Sequence, residues 1–255
     1  MIDSRAIVDP KASIGKNVTI GPWTIIGPDV QIGDNCHIAS HVVIRGPSVI
    51  GENNKIYQFS TIGEDTPDLK YKGEPTRLII GDNNTIREGV TIHRGTVQDK
   101  GETIIGSHNL LMAYAHVGHD SVIGDHVIMV NNSSLAGHVT VGNWAILSGF
   151  ALIHQYVTIG AHSFIGPAAF SYHDVPAFVT AFGSPAEPRT INKEGLKRRG
   201  FASDKIALVD KAYKLLYRRR LSLDEATEEI AKLGDNDVIK MFLDSLKAST
   251  RGIIR

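Results

Sequence analysis

The sequence predicts a mainly β protein, a left-handed parallel β-helix built from hexapeptide repeats and closed by a small C-terminal α-helical domain. Three observations carry that reading. Isoleucine recurs at a spacing of six at nine consecutive positions: 14, 20, 26, 32, 38, 44, 50, 56 and 62. The same phase returns at Ile80, Ile86 and Ile92, then runs through Ile105, Leu111, Val117, Ile123, Met129, Leu135, Val141, Leu147, Ile153, Ile159 and Ile165. Past about Ala186 that period stops and helical spacing takes over.

No ordinary helix or hairpin has a period of six. Three short strands folded into a triangular coil of eighteen residues do, with the aliphatic residue filling a narrow interior. Small or β-branched residues stand two places earlier, as at Val18, Thr24, Val30, Cys36 and Val42. Glycine often follows the aliphatic position, and glycine and asparagine are expected at the corners because they tolerate positive φ. Each coil pairs with the next through parallel ladders, so the units are stable only when stacked. The left-handed winding is an exception to the rule for crossovers.

The β-helix is expected over residues 1–186, with two interruptions. Residues 64–79, within "GEDTPDLKYKGEPTRLI", are polar, contain Pro67 and Pro75, and lack aliphatics at the expected phase. Residues 95–103, "GTVQDKGET", stretch the spacing between Ile92 and Ile105 to thirteen. Long excursions from a regular scaffold are usually functional or disordered. Residues 187–255 form the helical domain. "SDKIALVDKAYKLLYRRR" places Ile206, Val209, Tyr213, Leu216 and Tyr217 on one helical face. "SLDEATEEIAKLG" opens on a capping box, Ser222 to Glu225, and closes on Gly234; "DNDVIKMFLDSLKAS" is a third amphipathic helix. Together they cover a sheet edge that would otherwise pair with other chains.

Composition narrows the function. Hydrophobic residues make up 42% and charged residues 21%, enough for a core and unlike a disordered chain. The 27 basic and 27 acidic residues balance, which argues against a general nucleic-acid binder. Cys36 is the one cysteine, so no intrachain disulfide forms and a reducing compartment is the natural setting. No apolar run reaches signal-peptide or membrane-span length. A cytoplasmic protein without stable membrane insertion is expected.

Histidine carries the chemistry. The stretch "AHVGHDSVIGDHVIMVNNSSLAGHV" holds four of the eleven histidines. Subtracting whole coils of eighteen places His138 at position 120 and His154 at position 118, beside His116 and His119. Gly137 superposes on His119 one coil on. Coils stack about 4.8 Å apart, so the cluster is compact. Asp120 and Gln155 supply orienting and hydrogen-bonding groups. A second column, His108, His126 and His162 with Trp144, lacks such partners and reads as a polar surface ladder. A neutral imidazole takes a proton from a hydroxyl near neutral pH, and a glycine N–H stabilises an oxyanion. That combination suits acyl transfer from a thioester to an alcohol without a covalent intermediate. One rival is a zinc-dependent, carbonic-anhydrase-like enzyme on the same fold, with three histidines around an open metal position. Another is a non-catalytic assembly module. Cys36 offers little as a nucleophile, and no Ser/His/Asp order is evident.

The motifs "IYQFSTIGEDTPDLKYKGEPTRLIIGDNN", "IREGVTIHRGTVQ", "NLLMAYAHVGHDSVIGD", "NNSSLAGHV", "HQYVTIGAHSF" and "NKEGLKRRGF", in that order, closely resemble the UDP-N-acetylglucosamine O-acyltransferases. These enzymes begin lipid A, hence lipopolysaccharide, synthesis in Gram-negative bacteria. The resemblance extends from Met1 to the terminal "STRGIIR". It implies a homotrimer with active sites in clefts between neighbouring β-helices. It also implies transfer of an (R)-3-hydroxyacyl group from acyl carrier protein to the 3-hydroxyl of UDP-N-acetylglucosamine, with neither metal nor cofactor. His119 would be the general base, Asp120 its orienting partner and Gly137 the oxyanion donor. His116, His138, His154 and Gln155 would line the site. Asp68 and Lys70 match a substrate-contacting pair, and Asn192, Glu194, Arg198 and Arg199 match positions contacting the acyl group, nucleotide or carrier.

Pro167 stands where the family sets acyl length, which implies a donor shorter than a glycine-bearing relative would use. Residues 189–220 carry eleven basic against three acidic side chains, a local field suited to an acidic carrier protein. Aromatics for stacking nucleic-acid bases are confined there to Phe201, Tyr213 and Tyr217. A relative acylating a glucosamine amine normally carries an extra N-terminal domain, for which a repeat starting by Ile14 leaves no room.

Overall fold

The computed structural model describes all residues, 1–255. Successive strands fall in turn on three parallel sheets of nine, eight and ten strands, here sheets I, II and III, starting at Ile7–Val8, Ser13–Ile14 and Thr19–Ile20. The result is the left-handed parallel β-helix that the repeat predicts. Registry follows the aliphatic period. Ile62 pairs with Ile44 and Ile92, Ile92 with Val117, and Leu135 with Val117 and Ile153. The interior is one continuous column in which Ile38, Ile44, Ile56, Ile62, Ile86 and Ile92 are wholly buried. Burying each such side chain contributes roughly 1.5–3 kcal/mol. Val18, Val30, Cys36 and Val42 fill the space between, and Thr24 gives its hydroxyl to the Ala39 carbonyl at 2.6 Å.

The corners differ from expectation. Left-handed φ falls on Asn17, Asn35, Asn53, Asn83 and Asn132, as expected of asparagine, but most of the other corner residues are histidine, aspartate or aromatic. The glycines after the aliphatic position answer a different need. A Cβ on Gly33 would lie 2.7 Å from the Gly51 carbonyl carbon, so glycine there permits the close approach of the next coil. Left-handed corners turn side chains outward along the prism edges, which is why rings accumulate in columns.

Both interruptions leave the same edge, between sheets I and II. The first joins strands Thr61–Glu64 and Arg77–Ile80, and the second joins Thr91–His93 and Glu102–Ile105. Arg94, 6% exposed, anchors the first loop: it donates to the Gly63 carbonyl at 2.6 Å and the Tyr71 hydroxyl at 2.9 Å, and pairs with Asp65.

The chain crosses position 186 within a hairpin. Strand Val179–Phe182 adds to Phe164–Ile165, and Glu187–Ile191 pairs antiparallel with it, so sheet III continues past the last coil. Helices α1 (Lys193–Arg198), α2 (Ser203–Arg218), α3 (Leu223–Ala231) and α4 (Asp237–Lys247) follow. Three match the amphipathic segments, and the Ser222–Glu225 capping box is formed. The sequence reading did not anticipate α1, which Asn192 starts by accepting the Gly195 N–H at 3.1 Å. Ile206, Val209, Leu216, Ile230 and Phe242 join the core of the prism, with Phe242 stacked on Phe178. No helix is long and apolar enough to cross a membrane.

Candidate active site

The edge between sheets I and II carries the histidine cluster. Strand His116–Val117 ends there, and His119 and Asp120 form the corner, with Asp120 at φ 58°. Adjacent strand residues would point to opposite faces. The left-handed corner instead brings the Asp120 Oδ2 to 2.8 Å from the His119 Nδ1. Asp120 is buried, and both oxygens are engaged: Oδ1 accepts the Thr96 N–H at 2.9 Å and Oδ2 the Thr96 hydroxyl at 2.7 Å. Its own N–H donates to the Thr103 hydroxyl at 2.8 Å. Burial pushes the Asp120 carboxyl up, but the hydrogen bonds from His119 and Thr96 outweigh it and leave the group below the usual carboxylate range. An anionic Asp120 therefore holds the Nδ1 proton of His119 and leaves its Nε2 free.

Gly137 lies directly over that ring. A Cβ at 137 would fall 2.6 Å from the His119 Cε1 and Nε2, so the superposition expected from the coil period is a van der Waals contact. The Gly137 N–H donates to no backbone carbonyl of the chain. His138, at the corner above Asp120, presents its ring edge-on to His119 at 4.9 Å and stacks flat on Tyr156 at 4.3 Å. Its Nδ1 meets the Asp99 Oδ2 at 2.8 Å and lies 3.9 Å from the Asp120 Oδ2.

His116 sits one turn of strand away. Its Nδ1 pairs with the Thr91 hydroxyl at 2.7 Å, and its ring meets His93 edge-on at 5.3 Å. Burial, then repulsion from His93 and His119, pushes its pKa down to about 4, so it is neutral at pH 7. His154 and Gln155 occupy the same edge further along. His154 turns toward its neighbour's carbonyl, 3.3 Å away, and toward Tyr172. The four imidazoles therefore share an edge, but only His119 and His138 pair ring to ring; His116 meets His93 and His154 meets Tyr172.

The remaining expected residues lie elsewhere on the chain. Asp68 and Lys70 are on the first excursion, where the Asp68 carboxylate accepts the Lys70 N–H at 2.9 Å and the Lys70 side chain is exposed. Asn192 is buried as the N-cap of α1 and donates to the His162 carbonyl at 2.9 Å. Glu194 pairs with Lys197 at 3.0 Å, and Arg198 is exposed. Pro167 is exposed at the edge between sheets III and I. Arg199 docks on the third edge, donating to the Trp144 carbonyl at 2.8 Å and meeting the His162 Nδ1 at 3.1 Å.

That contact corrects the picture of the second histidine column. His108, His126 and Trp144 are stacked rings at 4.8 and 3.9 Å, but His162, at its end, is only 6% exposed. The column is a surface ladder that runs into the core beneath the helical cap. Thr91, His93, Thr96, Asp99 and Thr103 complete the first edge and were not singled out from sequence. The excursions interrupt the period that would have placed them.

His119, Asp120 and His138 each offer a ligand atom within 4.8 Å of the others. The geometry favours a hydrogen-bonded dyad over a metal site. Both Asp120 oxygens are bound by Thr96, His116 is bonded to Thr91, and His154 faces Tyr172, so three free imidazoles do not converge. Four concavities of about 230–510 Å³ lie on the C-terminal part, and His119 lines none of them.

Stacked hexad coils with this edge define the class, a hexapeptide-repeat transferase. Residues 11–46 and 102–137 match the family model for the bacterial transferase hexapeptide (six repeats), and residues 174–254 match that for UDP-N-acetylglucosamine O-acyltransferase, domain 2. The acyl-[acyl-carrier-protein]–UDP-N-acetylglucosamine O-acyltransferase of Stutzerimonas stutzeri is 61% identical, covering 100% of this chain and 99% of its own. The structure of LpxA from Acinetobacter baumannii superposes with a TM-score of 0.97 at 47% identity, covering 100% and 99% of the two chains. The Francisella novicida UDP-N-acetylglucosamine acyltransferase gives 0.98 at 43% identity, covering 100% and 94%. The chain belongs to the UDP-N-acetylglucosamine O-acyltransferase family.

Proposed function

We propose that this chain transfers an (R)-3-hydroxyacyl group from acyl carrier protein to the 3-hydroxyl of UDP-N-acetylglucosamine, opening lipid A synthesis, with His119 as general base. Family membership supports the donor and acceptor, since the relatives are named for acyl carrier protein and the nucleotide sugar. The relatives are O-acyltransferases, which disfavours the zinc and N-acyl alternatives. The observation that carries the mechanism is the contact of Gly137 with the His119 ring, while Asp120 holds Nδ1 from behind.

The His119 Nε2 removes the proton of the sugar hydroxyl as its oxygen attacks the thioester carbonyl. The carbonyl electron pair moves onto oxygen, where the Gly137 N–H stabilises it. Collapse of the tetrahedral intermediate breaks the C–S bond, and the imidazolium returns its proton to the departing thiolate. Asp120 stabilises the imidazolium and fixes its tautomer.

A homotrimer, as the resemblance implies, is supported by where the expected site residues stand. His119 and Pro167 occupy different edges of one prism, so a single cleft collects both only if neighbouring copies present different edges. The edge between sheets III and I supports this: Trp23, Phe59, Tyr114 and Phe150 lie along it, each more than half exposed. Large exposed apolar strips mark interaction surfaces. The exposed basic side chains of 189–220 that lack a carboxylate partner, Lys193, Arg198, Lys211, Arg218, Arg219 and Arg220, retain a field for the acidic carrier. The lone buried thiol of Cys36 supports a reducing, cytoplasmic setting.

The test is an assay with UDP-N-acetylglucosamine and carrier proteins bearing 3-hydroxyacyl chains of increasing length. Transfer is expected to peak at a medium length, and Pro167→Gly is expected to move the peak to longer chains. His119→Ala should lower kcat about a thousandfold. Near-parental turnover in that variant would remove His119 from the base role, and an unmoved length preference in Pro167→Gly would refute the ruler.

A further inference from the structure

The second excursion, expected from sequence over residues 95–103 as a functional or disordered loop, spans residues 94–101 in the structure. Its internal bonding is that of a fixed turn. Both the Asp99 and Gly101 N–H groups donate to the Thr96 carbonyl, at 3.3 and 3.0 Å, and Arg77 donates its N–H to the Gly101 carbonyl at 2.9 Å. From this turn two side chains reach the histidine edge. Thr96 is 1% exposed and gives Asp120 both its hydroxyl and its N–H. A buried carboxylate needs such donors, and charge-assisted bonds are the stronger kind. Asp99 takes the Nδ1 of His138, whose ring is already held flat by Tyr156 and edge-on by His119. A carboxylate on Nδ1 selects the tautomer that carries its proton there, which makes Nε2 an acceptor.

We propose that this loop is a positioning element of the active site, with Thr96 fixing Asp120 behind His119 and Asp99 fixing His138. The Nε2 of His138 then accepts a hydrogen bond from a hydroxyl or amide N–H of one substrate. The inference rests on the reading of His119 as general base. It adds two residues that touch no substrate themselves and divides their effects: Thr96 acts on turnover through the dyad, and Asp99 acts on binding through His138.

The experiment compares Asp99→Ala, Asp99→Asn, Thr96→Val and Thr96→Ser in the full-length protein, with kcat and both KM values and a melting curve for each. Asp99→Ala is expected to raise the KM of one substrate about tenfold with a smaller change in kcat. Asp99→Asn should recover most of that loss, since a neutral carbonyl still accepts the Nδ1 proton. Thr96→Val should lower kcat about tenfold at unchanged KM, and Thr96→Ser should restore it. Nitrogen NMR of His138 should report a changed tautomer in Asp99→Ala alone, independently of turnover. Parental kinetics in both Asp99→Ala and Thr96→Val would overturn the proposal, as would failure of Asn to rescue a defective Ala variant. The underlying mechanism fails separately. An active His119→Ala removes the base reading, whereas an inactive His119→Ala beside parental loop variants removes the loop's role alone.

Discussion

Two edges of the same prism carry histidine columns, generated by the same repeat, and they are built for different ends. On the edge between sheets I and II the imidazoles are tied at Nδ1 to oxygen: His119 to Asp120, His138 to Asp99 and His116 to Thr91. On the edge between sheets II and III the rings lie flat on one another, His108 on His126 and His126 on Trp144, with interplanar angles of 8° and 10°. The carboxylates on His119 and His138 fix which nitrogen carries a proton, whereas stacking along His108, His126 and Trp144 fixes only where the rings pack. What separates them is the pair of excursions, which leave the first edge and bring Thr96 and Asp99 to it. A column of histidines becomes a candidate reaction centre where something fixes its tautomers.

The comparison is broken most severely at a glycine. Gly137→Ala would drive a methyl group to 2.6 Å from the His119 ring, a side chain that can swing aside. The expected outcome is a loss of about a hundredfold in kcat from the misplaced base, with a melting temperature near the parent's. Gly142→Ala, on the second edge, meets the Ala161 backbone N at 2.6 Å instead. Backbone cannot swing aside, so that variant should melt earlier while its surviving folded fraction turns over normally. If the two variants exchanged phenotypes, the assignment of chemistry to one edge and packing to the other would fail.

The difference between edges was partly legible in the sequence. The aliphatic interior was readable because one residue in six must fill it, and tight packing leaves little choice. The meeting of Gly137 with His119 was readable too, since coils from Ile105 to Ile165 keep an unbroken period. The Thr96 and Asp99 contacts were not, because the loop carrying them breaks the period and obeys no other. Helix α1 was hidden by its six residues, with Gly195 inside. Arg199 misled through its charge. A guanidinium reads as solvated or ligand-binding, whereas here burial pushes its pKa down and it seals Trp144 and His162 beneath the cap. Corner glycines misled through their φ, since close approach of coils rather than a left-handed turn selects them.

Acid provides a smaller and more graded test, and here the edges behave alike. Burial, followed by repulsion from Arg199, pushes the His162 pKa down to about 4, and His116 on the first edge reaches the same value. Between the ordinary value of 6.5 and about 4 the unfolded chain binds protons that the folded chain refuses. Stability therefore rises with pH through that window, is complete above 6.5 and is lost as pH falls toward 4. His162 should contribute on the order of 2 kcal/mol to that slope, and the less buried His116 less. Asp120 acts in a lower window. Its depressed pKa stabilises the fold above the ordinary carboxyl value of 3.8, and that is lost as pH falls below it. Denaturant titrations between pH 4 and 7 read the effect, and His162→Gln should flatten the curve. An unchanged slope in that variant would mean that His162 takes up its proton equally in the folded and the unfolded chain, and that burial beside Arg199 does not depress it.

The smallest expected effect is also the cleanest control on the comparison. His126 lies 4.8 Å from His108 and 3.9 Å from Trp144, centroid to centroid, with no carboxylate on either nitrogen. Replacing it with Gln removes a stacked ring and nothing that holds a proton, so His126→Gln should cost about 0.5–1.5 kcal/mol of stability. Its kcat and both KM values should equal the parent's. His138→Gln, on the other edge, removes a ring of the same size and similar stacking, and should raise a KM. A several-fold fall in kcat/KM for His126→Gln would draw the stacked edge into the reaction, and stacking alone would then be enough to make a histidine column functional.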